Sequence, residues 1–226
     1  MLGLRSIRCL RIGLQALERY PLCISYLFSA LLFSLVLSAL VLSFVGVASA
    51  QNLLFEHLSY EQGLSESNVT AILQDKQGFL WIGTSNGLNR YDGYSVIIYR
   101  NDPNDSTSLA NNAITALYED ESGILWVGTQ NGLHRFDRTT GRFTVYRNNP
   151  DNNNSLSSNL VRSIIEAPRG MLWVSTKRGL NRLDVARGEW TLFKADKKGR
   201  GKGPSDNDII TILADPANRA HLWLGT

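Results

Sequence analysis

Short apolar runs separated by turn residues fill most of this chain. From residue 64 onward, runs of four to six apolar residues alternate with segments of Gly, Asn, Asp and Pro. The runs are rich in β-branched and aromatic residues, which is typical of strands, and no helical periodicity follows residue 50. Pairs such as Asn86-Gly87 and Asn131-Gly132 mark two-residue hairpins. The pattern predicts an all-β protein built from antiparallel strands.

The apolar runs belong to a repeat that aligns on tryptophan. Successive tryptophans of the repeat are 45, 47 and 50 residues apart, and each complete unit holds four apolar runs. Four antiparallel strands in about 45 residues form the blade of a β-propeller. Residues 51–226 are therefore predicted to form a partial propeller of about 3.5 blades, an incomplete ring. The units are expected at residues 64–108, 109–155, 156–204 and, truncated, 205–226.

The residues that recur in each unit are interpreted as structural. A large indole can fill the wedge between neighbouring blades, and glycine allows close approach of a neighbour or a tight hairpin. A ligand-stacking role for the tryptophans is the alternative, but a binding site usually breaks a repeat. The structural set comprises Trp81, Trp126, Trp173, Trp223, Gly83, Gly128, Gly87, Gly132 and Gly179.

The first 50 residues differ from the rest. Four arginines precede an uncharged, mostly apolar stretch at residues 23–47, and Ala48-Ser49-Ala50 follows it. The stretch is predicted to be a hydrophobic helix, long enough at about 1.5 Å per residue to cross a bilayer. The order is typical of an export signal cleaved after Ala50, with an uncleaved membrane anchor and a soluble core helix as alternatives. The first two place residue 51 onward outside the cytoplasm.

Charge and cysteine content narrow the function. The 226 residues carry a formal net charge of +3, but residues 51–226 hold 19 basic and 19 acidic side chains. A neutral body argues against nucleic-acid binding, which needs a surplus of cations. Both cysteines precede Ala50, which leaves the predicted propeller without a disulfide or a cysteine-based metal site.

Candidate chemistry is sparse. The remaining histidines, His57, His134 and His221, lack the spacing of metal ligands. No nucleophile elbow, phosphate loop or dinucleotide-binding motif occurs, so we expect no catalytic residues, no metal and no cofactor. The repeated acidic residues Asp75 and Asp120 are interpreted as turn residues.

Recognition is expected on one face of the blades. The links between units, at residues 101–108, 148–155 and 196–204, should share this face with the hairpin tips, and loops on a rigid scaffold commonly bind ligands. Their Asn, Asp and Ser side chains could bind a sugar, and a basic run at residues 197–202 could attract an acidic ligand. Solvated turns are the alternative for both. The candidate ligand-binding residues are Asn86, Asn131, Arg178, Asn104, Asn153 and Lys198.

A family resemblance rests on these repeats. The string Asp-x-x-Gly-x-Leu-Trp-(Ile/Val)-Gly-Thr-x-x-Gly-Leu-x-Arg-(aromatic)-Asp resembles the two-component regulator propeller repeat over about residues 54–226. The resemblance implies the periplasmic sensor region of a bacterial receptor, exported or anchored to the inner membrane. It also implies a hybrid histidine kinase or diguanylate cyclase as the transmitter. Because the chain stops inside the motif at Thr226, we expect an N-terminal fragment of such a receptor.

The expected function is non-catalytic ligand sensing. The expected partners are a small molecule or glycan, the rest of the receptor chain and a second copy of the chain, with membrane contact only through residues 23–47 if they are not removed. The alternatives are a propeller lyase or glycoside hydrolase and a structural interaction scaffold.

Overall fold

The computed structural model describes residues 29–37, 57–196, 203–218 and 221–226. Residues 29–37 are helical and lie in a different compact unit from residues 57–226, so the two are described separately. Within the described ranges, no helix has the length and apolar character needed to span a membrane. Most of the predicted signal or anchor lies outside the described residues, as does the candidate ligand-binding residue Lys198.

Residues 57–226 form three four-stranded antiparallel sheets and one two-stranded sheet. Each sheet follows chain order, with every strand paired to the next. This architecture confirms the predicted all-β propeller blades. The strands are β1 (Val69–Gln74), β2 (Leu80–Thr84), β3 (Gly87–Tyr91), β4 (Val96–Tyr99), β5 (Ile114–Glu119), β6 (Leu125–Thr129), β7 (Gly132–Asp137), β8 (Arg142–Tyr146), β9 (Val161–Glu166), β10 (Met171–Thr176), β11 (Gly179–Asp184), β12 (Glu189–Phe193), β13 (Thr211–Ala214) and β14 (Leu222–Gly225).

The blades are arranged as an open ring. The first strands of successive blades, β1, β5, β9 and β13, contact one another and therefore lie nearest the axis. A short 3-10 helix at Tyr60–Gln62 precedes β1, with Ser59 and Gln62 forming a capping box.

The hydrophobic core lies between the blades, not within them. In the first interface, Trp81 is fully buried and its ring contacts Phe136 of the second blade edge-on, with centroids 5.2 Å apart. The second interface is built in the same way around Trp126 and Val161. The third is smaller, and Trp173 is only partly buried there. Trp223 is 64% exposed, because no described blade covers the outer side of its two-stranded sheet.

Two glycines receive side chains from the next blade. A Cβ atom on Gly83 would lie 2.6 Å from Ile114 Cγ2, and one on Gly128 would lie 2.7 Å from Val161 Cγ1. In the third unit Ser175 takes this position; its buried hydroxyl has no hydrogen-bond partner among the described residues.

The glycine that begins the third strand of each complete blade is constrained by its backbone conformation. Gly87, Gly132 and Gly179 all have φ between 124° and 139°, a region that L side chains rarely adopt.

The Gly128 contact yields a stability prediction. Gly128→Ala should lower the free energy of unfolding by about 1–3 kcal/mol, because the added methyl overlaps Val161. Urea unfolding of G128A, V161A and the double variant measures the effect. The double variant should be more stable than the sum of the single changes predicts, since removal of Val161 Cγ1 makes room for the methyl. Simple additivity would contradict this packing account.

Candidate functional site

A carboxylate in the first turn of each of the first two blades fixes the tryptophan. Asp75 accepts hydrogen bonds from the Trp81 indole at 2.7 Å and from the Phe79 amide at 2.9 Å. Asp120 does the same for Trp126, at 2.8 Å, and Ile124, at 2.9 Å. Both carboxylates are buried. They are therefore committed to holding the turn and the indole, as the sequence interpretation proposed.

Arg138 adds a contact that the repeat does not copy. Its guanidinium lies 2.7 Å from Asp75 and 2.9 Å from Glu119, so it joins the first blade to the second. Burial raises the pKa of Asp75, but hydrogen bonds from Trp81 and Arg138 outweigh it and hold the pKa below its usual value. Asp75 is therefore ionised at neutral pH.

The third blade satisfies its indole differently. Ala167 stands where the first two units have aspartate, and the Trp173 indole donates to the Ala167 carbonyl instead. Glu166, the residue before Ala167, links the third blade to the second, because its Oε2 accepts a hydrogen bond from the Glu121 amide at 2.7 Å. The Lys76 amide donates to Glu119 Oε2 in the same way, at 2.8 Å. Carboxylates on this face of the blades thus link neighbouring turns.

A buried polar side chain on the third strand of each complete blade ties that blade to the segment before its first strand. Asn89 accepts from the Ser65 amide and donates to the Ile82 carbonyl. Asn181 makes the equivalent pair of bonds in the third blade. In the second blade His134 replaces asparagine: its Nε2 accepts from the Ala110 amide at 2.9 Å and its Nδ1 lies 3.2 Å from the Val127 carbonyl. Burial lowers the pKa of His134 to about 4, so it is neutral at physiological pH.

No metal centre is formed by the described side chains. Within the described ranges, no three His, Cys, Asp or Glu residues cluster as metal ligands. His57 is exposed, and the exposed His221 lies 4.0 Å from the half-buried Asp215. His134 therefore has a structural role, whereas His57 and His221 face the solvent.

An open depression lies at the axis, where the first strands of the blades meet. It encloses about 530 Å³ and is open to solvent. Its floor includes one equivalent residue from each blade, and the hairpin tips Ser85 and Gln130 form part of its rim. The equivalent residues are Thr70, Thr115, Arg162 and Ile210.

The side chains of the axial depression break the repeat. The same position holds threonine twice, then arginine, then isoleucine, whereas the neighbouring structural residues are copied from unit to unit. Thr70 donates to the Ile114 carbonyl at 2.8 Å, whereas Arg162 pairs with Asp208 at 2.9 Å. Sequence reasoning missed this position, although its variation within a regular repeat is a signal that could have found it.

The described candidate ligand-binding residues lie on the hairpin tips and on the links between blades and do not form one group. Asn86 is exposed at a hairpin tip, whereas the Asn131 side chain donates to the Ala110 carbonyl at 3.2 Å and lies 3.4 Å from Asn159. Asn104 is exposed on the first link. Of the described candidates, only Asn153 and Arg178 line a common cavity.

Asn153 and Arg178 line a groove of about 270 Å³ between the second link and the end of β12. A groove of about 290 Å³ lies at the equivalent place between the first link and the end of β8. Polar side chains contribute to the lining of the axial depression and of both link grooves.

Known proteins share these repeats. The two component regulator propeller model matches residues 63–86, 108–131 and 155–178. Histidine kinase P4 of Formosa agariphila is 49% identical over 63 residues, which cover 28% of this chain and 5% of that protein. This chain therefore spans only a small part of the curated relative that it matches.

Solved structures agree with the fold. The extracellular domain of BT3049 from B. thetaiotaomicron, assigned to a hybrid two component system, is 35% identical with a TM-score of 0.66; the match covers 75% of this chain and 23% of that one. The extracellular domain of BT4673, assigned to a one component system, is 26% identical with a TM-score of 0.61, covering 76% and 24%. Three stretches of this chain, each within one four-stranded blade unit, thus match the two component regulator propeller model, and the chain is similar in sequence and fold to the extracellular domain of a hybrid two component system.

Proposed function

We propose that this chain is an extracytoplasmic ligand-sensing segment of a two-component-type transmembrane receptor. Its ligand, a small molecule or glycan, binds in the axial depression, and the signal passes to a histidine kinase or diguanylate cyclase transmitter. The chain itself performs no catalysis.

One observation carries the proposal: the side chains differ from blade to blade where the first strands converge on the axis. A repeated scaffold keeps its packing residues, whereas a specific ligand needs different groups on its different sides. The depression offers threonine hydroxyls, a Gln130 amide, an arginine and apolar surface. This mixture suits a polar organic ligand with an apolar face. The extracellular neighbours and the histidine kinase relative support the receptor context.

The extracytoplasmic location is tested with a fused reporter. Alkaline phosphatase attached after Thr226 is active only when it is exported, so the fusion should be active in a bacterial host. Deletion of residues 1–50 from the fusion is the matched control and should abolish that activity. An inactive full-length fusion that accumulates to normal levels would contradict the location.

Ligand binding is tested by thermal unfolding of the purified chain against a panel of neutral and acidic oligosaccharides and amino acids. A ligand of the axial depression should raise the melting temperature. Gln130→Ala combined with Ile210→Ala should weaken its affinity at least about tenfold, because two lining side chains are lost. Tyr94→Ala, at a turn on the opposite face and 98% exposed, is the control and should leave affinity unchanged. If no compound in the panel raised the melting temperature, or if Q130A/I210A kept its affinity, the proposed axial site would be wrong.

A further inference from the structure

The two link grooves are copies of one structure. The first residue of each link, Asn101 or Asn148, donates its side-chain amide to a leucine carbonyl, and its own amide is bound by an asparagine just before the next strand. The next amide in each link donates to a serine hydroxyl, at 2.9 Å from Ser108 and 3.0 Å from Ser155. The two backbones therefore follow the same path, and differences between the grooves arise from their side chains.

The lining charges of the two grooves differ. The first groove is lined by Asp102, Asp105 and Arg147. Hydrogen bonds from the Thr107 hydroxyl and amide lower the pKa of Asp105, so this carboxylate is ionised at neutral pH. Among the described residues that line the second groove, the charged ones are Arg178 and Lys194. The lining thus changes from one net negative charge to two positive charges.

The carboxylates of the first groove become amides in the second. Asn149 stands where the first link has Asp102, and Asn152 stands where it has Asp105. Each of the four side chains uses one oxygen to accept the amide two residues further on, at 2.8–3.1 Å. The asparagines differ in adding an NH2 group, which has no hydrogen-bond partner among the described residues. The substitutions keep the turn and replace acceptors with donors.

The cations of the second groove are also uncompensated. Within the described ranges, neither Arg178 nor Lys194 forms an ion pair. Arg178 stands where the second blade has Asn131, whose amide is occupied by the Ala110 carbonyl. The one acidic residue of this link, Asp151, is exposed and does not line the groove. Two cations and two amide donors therefore line a cavity to which no described residue adds a carboxylate.

We infer that the second link groove is an anion-binding site for a ligand group such as a sulfate, phosphate or carboxylate. Arg178 and Lys194 supply the charge, and the Asn149 and Asn152 amides supply directional hydrogen bonds. The site is separate from the axial depression, so it goes beyond the proposed function and does not depend on it. The first groove, with its two carboxylates, repels the same ligand group.

The test follows backbone amides of the isotopically labelled chain by NMR during titration with sodium sulfate, with sodium chloride keeping the ionic strength constant. Amides of residues 149–155 should show saturable shifts, and those of residues 102–108 should not. Parallel titration with acetate separates a requirement for a doubly charged group from recognition of any oxyanion. Equal responses in both links, or no saturation with either anion, would overturn the proposal.

Matched variants come from the sibling groove. Asn149→Asp combined with Asn152→Asp keeps both turns, as Asp102 and Asp105 demonstrate, and should weaken sulfate binding at least about tenfold. Unchanged affinity in this variant would refute the site. The reverse change in the first groove, D102N/D105N/N131R, should create a second set of saturable shifts at residues 102–108. N149D/N152D keeps the turn hydrogen bonds of its link, so unfolding is not the expected cause of its result. D102N/D105N/N131R loses the Asn131 bonds to Ala110 and Asn159, so its amide spectrum must first show that it is folded.

Discussion

Replacing Asp75 with alanine is expected to lower the free energy of unfolding by about 3–5 kcal/mol. The change removes the acceptor of the buried Trp81 indole and of two turn amides, those of Gln77 and Phe79. It also removes one of the two carboxylates that neutralise Arg138. Urea unfolding followed by tryptophan fluorescence measures the loss, and the fluorescence reports directly on the indole environment.

Asp120→Ala is the matched control for Asp75→Ala. Asp120 makes the same indole and turn bonds to Trp126, Ser122 and Ile124, but no arginine of the described ranges pairs with it. The excess cost of D75A over D120A therefore isolates the Arg138 contact. In the R138M background that excess should disappear. A D75A cost below about 1 kcal/mol, or an excess that persists in R138M, would contradict the assigned bonds.

The second large effect concerns pH and His134. The unfolded chain binds a proton at this residue near its ordinary pKa of 6.5, whereas burial in the folded chain lowers the pKa to about 4. Between these values the unfolded state binds more protons, so stability falls as the pH falls. The full contribution is present above pH 6.5, and roughly 3 kcal/mol is lost by pH 4. Urea unfolding at a series of pH values measures this slope.

His134→Asn separates the titration from the packing. Asparagine makes the same two bonds in the neighbouring blades, at Asn89 and Asn181, so H134N should keep most of the stability at pH 7. Its stability should then depend less steeply on pH between 6.5 and 4. His134→Leu should be less stable than both at pH 7, because the Ala110 amide and Val127 carbonyl lose their partner. Identical pH slopes for H134N and the unchanged chain would rule out His134 as the source.

The sequence was sufficient to predict the fold because the repeat aligns several signals at once. Apolar runs, Asn-Gly turns and an indole at a fixed register all require the same four-stranded unit, and the structure has it. The role of His134 could not be predicted in this way. A single histidine carries no periodic signal, and its equivalence to Asn89 becomes visible only when hydrogen bonds across the units are compared.

The candidate sites were harder to predict than the fold. Sequence reasoning favoured exposed polar loop residues such as Asn86 and Asn104, but many polar groups in these links serve their own turns. Thr70 and Arg162 could not be identified in this way, because in the sequence each resembles an ordinary strand residue. Their common position at the axis follows from the packing of the first strands, which composition does not reveal. Arg138 is a similar case, since its partner Asp75 is 63 residues away.

The placement of the core between blades has a consequence for how such proteins grow. The second blade carries half of two interfaces: its Gly128 receives Val161 of the third blade, and its Ile114 packs against Gly83 of the first. Duplication of one coding unit therefore adds a whole blade and a complete new interface at the same time. Each copy is then free to change away from these contacts. The first two links illustrate this freedom, since their backbones make the same hydrogen bonds while their grooves carry charges of opposite sign.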